Sequence, residues 1–114
     1  MLPSSTVRRY ERIALRRGPL VAWQGPGGRA VSRLATLGLG GVFIEASEPA
    51  SIGEGIKIVF RVAGGEVSAR AMVRNSHPGR GMGVEFTSMR PEDRARLDRL
   101  VRKLLAVLSG KKTN

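Results

Sequence analysis

Three guanidinium groups stand within five positions near the start of the chain, at Arg8, Arg9 and Arg12. Arginine's planar fork donates paired hydrogen bonds to phosphate oxygens and to the acceptor edge of guanine, and its flat face stacks on a base. Further along comes a glycine-rich run, T-L-G-L-G-G-V-F-I over residues 36–44. Its glycines at 38, 40 and 41 interrupt a strand that resumes at Val42. The chemistry on offer is recognition of an anion with purine character.

Groups for catalysis are sparse. The chain has no cysteine, which excludes disulfides, thiolate nucleophiles and cysteine metal ligands. The single histidine, His77, precedes Pro78 in a turn-like stretch with no second His or Cys to share a metal, and it reads as a surface loop residue. Glu92 and Asp93 are accounted for by a helix start. Two glycine-rich tracts imitate phosphate loops. G-P-G-G-R-A-V-S over 25–32 lacks the Lys-Ser/Thr of a Walker loop and runs into a strand. L-G-L-G-G-V-F-I over 37–44 is followed by a strand, where a dinucleotide fingerprint needs a helix. Neither an enzymatic activity nor a metal or cofactor is expected.

At 114 residues the chain has room for one domain and one core. Its 41% hydrophobic content is that of a folded protein. No apolar run approaches the roughly 18 residues of a membrane span, and the start lacks the apolar centre of a secretory signal. A cytoplasmic location is the expectation, with an Arg- and Ser-bearing transit peptide as the alternative. The net charge of +11 is uneven. Residues 1–33 hold seven arginines against Glu11, residues 34–86 five basic and five acidic groups, and residues 87–114 eight basic and three acidic. Two basic ends around a neutral middle attract nucleotides, nucleic acid, anionic lipid or acidic protein. Nucleic acid is disfavoured, because 4% aromatic content with no Phe or Tyr cluster gives no stacking platform.

The elements that must position these residues follow from hydrophobic period. Residues 1–7 form a lead and residues 8–17 a basic arm with Tyr10, Ile13 and Leu15 as apolar contacts; Pro19 disfavours a helix through it. Strands are predicted over 20–23, 30–37, 42–46, 56–63, 67–74 and 82–86. Leu34 and Thr36 fall on one face of the second, Val42 and Ile44 oppose Phe43 and Glu45 on the third, and Gly64-Gly65 suits a hairpin turn. From Pro91 the period changes to three and four, with Leu97, Leu100, Val101, Leu104, Leu105 and Leu108 in one stripe of a helix over 91–108. Residues 109–114 are a basic tail. The stripe is expected to pack on the sheet or to make a homodimer, with a membrane-surface role as the alternative. Six strands without long crossovers, then one helix, describe an all-β antiparallel barrel with a helical appendage.

Arg8-x-x-x-Arg12, with Arg9 between, resembles the RxxxR arm of PilZ domains. Residues 36–41 stand where that family carries D/N-x-S-x-x-G, and G-G-V-F-I, G-M-G-V-E-F and P-E-D-R-A-R-L continue the likeness over residues 8–108. The resemblance implies a six-stranded barrel that binds cyclic di-GMP without chemistry on it. It implies that Arg8 and Arg12, assisted by Arg9, grip guanine and phosphate from the arm, with Thr36, Gly38 and Gly41 at the rim. Thr36 replaces the family's Asp or Asn, Gly38 its Ser, and Gly41 alone keeps its identity. Losing a hydrogen bond to a charged group costs about 1.5–3 kcal/mol, or about one to two decades of affinity. A domain of this kind acts in trans on an unidentified partner protein. The alternative is a degenerate adaptor in motility or pilus function that binds protein and no nucleotide.

Overall fold

The structure, a computed structural model, describes residues 12–108. Its elements are β1 (Ile13–Ala14), β2 (Leu20–Gly25), β3 (Gly28–Leu37), β4 (Gly41–Glu45), β5 (Gly55–Val62), β6 (Gly65–His77), β7 (Gly81–Met89) and α1 (Pro91–Leu108). Alternation fixes which side of each strand faces in. Ile56, Ile58 and Phe60 of β5 and Val67, Ala69, Ala71 and Val73 of β6 are buried, with Lys57, Val59, Ser68, Arg70 and Met72 on the opposite face. These side chains join Val21, Trp23, Leu34, Val42, Ile44, Met82 and Val84 in one core.

All pairings are antiparallel, in the order β3-β2-β5-β6-β7-β4, and β4 pairs back onto β3. Six strands therefore close into the expected barrel, and closure removes the exposed edges on which sheets aggregate. A seventh strand adds to it. Within the basic arm, β1 lies along the end of β3, with Ile13 opposite Leu37 and Ala14 opposite Thr36. The Leu15 amide donates to the Ala35 carbonyl at 2.8 Å, and Ile13 is buried.

Several boundaries differ from the sequence reading. A register shift between Leu34 and Thr36 breaks the two-residue alternation of β3. Leu34 and Leu37 are the fully buried pair, three positions apart, in place of Leu34 and Thr36. The turn between β5 and β6 is Ala63-Gly64, and Gly65, also at positive φ, already belongs to β6. β6 runs on to include His77, which is exposed at a strand end, not in a loop. β7 continues to Met89, past the expected end of the barrel.

α1 spans the predicted residues, but only the first part of its stripe is spent on the barrel. Leu97 and Val101 are buried, Leu100 and Leu104 half-buried, while Leu105 and Leu108 are exposed. Asp93 suits the positive end of the helix dipole, and it is also buried. Its carboxylate meets Arg96 at 3.0 Å and Arg90 at 3.6 Å. Arg96 in turn donates to the carbonyls of Gly64 and Glu66, both at 3.3 Å, which ties the helix to the β5–β6 turn. Among the described residues no helix is long and apolar enough to cross a membrane.

Candidate functional site

Pairing of β1 with β3 brings the arm onto the start of the glycine-rich run. Arg12, immediately ahead of β1, lines a broad open groove of about 1330 Å³ with Thr36, Phe43, Glu45, Ser32 and Arg33. Arg33 also donates from Nη1 to the Gly18 carbonyl at 2.9 Å, fixing where the chain leaves β1. Burial pushes the Arg12 guanidinium below its ordinary pKa, and the Glu85 carboxylate partly offsets this. Glu85 is itself engaged by Arg74 Nε at 2.6 Å. Arg12 is thus an exposed cation at the groove whose nearby carboxylate, Glu85, is shared with Arg74.

Thr36 is opposite Ala14 of β1 and Phe43 of β4. Its Oγ1 is buried and has no hydrogen-bond partner among the described residues. In this position of the arm Thr36 is part of the groove wall, with its hydroxyl sealed beneath. Gly38 is buried in the turn between β3 and β4, where its amide donates to the Gly41 carbonyl at 3.0 Å. At Gly41 a Cβ would land on the Val84 carbonyl of β7, so the missing side chain admits a neighbouring strand. Of the expected site residues, Arg12 and Thr36 line the groove, Gly38 and Gly41 lie outside its lining, and Arg8 and Arg9 lie outside the described residues.

Phe43, Glu45 and Arg33 went unassigned by motif reasoning. Their signal was the alternation itself, which sets Phe43 and Glu45 on the face of β4 opposite Val42 and Ile44. The His77 ring stacks on Phe43 with centroids 6.4 Å apart and planes at 29°. Among the described residues no three His, Asp or Glu side chains gather as metal ligands.

Solved structures share this architecture. The MrkH–c-di-GMP complex of K. pneumonia superposes with a TM-score of 0.74 at 19% identity, over 92% of this chain and 54% of that one. Escherichia coli YcgR in complex with c-di-GMP gives 0.72 at 20% identity, over 90% and 47%. The Bacillus subtilis inhibitor of motility (MotI/DgrA) gives 0.68 at 22% identity, over 86% and 51%. At these identities the likeness is one of fold, and the chain spans about half the length of each of these proteins. No curated protein sequence matches it. A family model for the PilZ domain matches residues 6–103, covering the arm, the whole barrel and most of α1, so the chain belongs to the PilZ domain family.

Proposed function

We propose that the chain is a cyclic di-GMP receptor whose N-terminal arm closes over the ligand on the groove of β3 and β4. The observation that carries this is the β1–β3 pairing. Ala14 opposite Thr36 sets Arg12 at the groove, with Arg9 and Arg8 upstream on the same arm. Cyclic di-GMP presents two phosphates and two guanines. The Arg12 fork donates to phosphate oxygens or to guanine O6 and N7, and Arg8 and Arg9 do the same from further along the arm. Phe43 offers an aromatic face, and the exposed Glu45 offers a carboxylate to the imino and amino donors of guanine. The family places an Asp or Asn for that task where this chain has Thr36, so Glu45 supplies the acceptor Thr36 lacks. Gly38 and Gly41 shape the turn behind the wall.

MrkH and YcgR hold c-di-GMP in their structures and MotI/DgrA is an inhibitor of motility, which supports both the ligand and a regulatory role in motility. The role is binding, not turnover. An arm ordered by ligand changes the surface presented to a protein partner. Thr36 and Gly38 favour a second reading, an adaptor that engages its partner without nucleotide.

Isothermal titration calorimetry with cyclic di-GMP, on the wild type and on Arg12→Ala, separates the two. The receptor reading expects a saturable signal that Arg12→Ala abolishes. Absence of heat at high micromolar ligand would transfer the chain to the adaptor reading.

A further inference from the structure

Away from the arm, one row of side chains crosses five strands of the barrel's outer surface. Ser88 of β7 is opposite Arg70 of β6, Arg70 opposite Lys57 of β5, Lys57 opposite Gln24 of β2, and Gln24 opposite Arg29 of β3. All five are exposed. The row holds three cations and no carboxylate. Nearby cations find partners, Arg61 with Glu66 at 4.0 Å and Arg74 with Glu85 at 2.6 Å. Lys57, Arg70 and Arg29 make no ion pair or side-chain hydrogen bond among the described residues. Lys57 and Arg70 are moreover like charges directly opposite each other, an arrangement that weakens a sheet.

Two residues along the same strands lies an aliphatic row. Ala22 is opposite both Val31 and Val59, and Leu20 extends the patch one step further along β2. Leu20 is 55% and Val31 67% exposed. The two rows are about 7 Å apart, and the cations span three strand spacings, about 14 Å, or about four residues of extended chain. A cationic row with uncompensated repulsion beside an aliphatic row is complementary to a segment that brings carboxylates and an apolar side chain together. It holds no aromatic ring on which a base could stack.

We infer that this face of β2, β5 and β6, bordered by β3, is the docking surface for an acidic segment of a partner protein. Its carboxylates lie over Arg70, Lys57 and Arg29, and its apolar side chain rests on Ala22, Val31 and Val59. The inference rests on the reading above in one respect, that the chain signals to a protein. Arg29 and Val31 also line the groove, so β3 is shared by the ligand side and the partner side.

The test uses the whole chain without nucleotide, so its outcome is independent of cyclic di-GMP binding. A fluorescent peptide of alternating glutamate and leucine is titrated and followed by anisotropy. Lys57→Glu combined with Arg70→Glu should weaken binding by at least about tenfold. Arg99→Glu combined with Lys103→Glu, the same charge change on α1, should leave binding unaltered. In parallel, Arg70→Gln should raise the thermal midpoint by relieving the opposed charges. Equal loss in both charge-reversed variants, tighter binding of polyuridylate than of the peptide to this face, or a lowered midpoint for Arg70→Gln would each overturn the inference.

Discussion

Thr36 carries a hydroxyl that is buried and has no hydrogen-bond partner among the described residues. A hydroxyl transferred from water to such a place costs about 1–3 kcal/mol on mutational scales. Thr36→Val, which keeps the branched shape, is therefore expected to hold or raise stability by about 1 kcal/mol. Urea unfolding measures this; a loss of similar size would mean that the hydroxyl is bonded in solution. Arg12 shows the complementary case. Its guanidinium is pushed below its ordinary pKa by burial, and the Glu85 carboxylate partly offsets this.

At the level of elements, α1 is held by one buried carboxylate as much as by its leucines. Asp93→Ala would leave Arg96 facing the β5–β6 turn without its counter-ion and leave Arg90 with Glu92 alone. Breaking a buried pair costs about 3–5 kcal/mol, and since Arg96 is 28% exposed along its side chain, about 2 kcal/mol is expected here. Chemical denaturation would register it as a lowered midpoint with an unchanged slope. The same elements show what the sequence could reveal. β5 and β6 are legible because Ile56, Ile58 and Phe60, then Val67, Ala69, Ala71 and Val73, recur at every second position, although Val59 and Met72 interrupt the polar face. The bulge in β3 is not legible, since a register shift leaves no mark in an alternation already blurred by Ala35 and Thr36. Two residues of β1 carry no period at all, and their pairing depends on β3 having a free side there. Leu105 and Leu108 keep helical spacing past the point where the barrel ends, so the stripe overstates the buried face. In the groove, Arg12 stood out as a motif, whereas Phe43 and Glu45 come beside it only once β3 and β4 are known to be neighbours.

Over the molecule as a whole, a charge of +11 gathered toward the two ends of the chain acts on an anionic ligand beyond direct contact. Raising ionic strength from about 0.05 M to about 0.5 M shortens the screening length from more than 10 Å to a few Å. Affinity for cyclic di-GMP should fall several-fold over that range, while any weak binding of neutral guanosine should not change; calorimetry at both salt concentrations compares them. The six strands close on inward faces whose core residues are apolar.

Gly41 shows how folding and ligand recognition can leave the same trace in a protein's ancestry. A side chain there would strike the backbone of β7 whether or not anything ever occupied the groove. Descendants that gave up the nucleotide would keep this glycine unchanged. Gly41 is therefore required by the barrel itself and does not by itself signal a nucleotide.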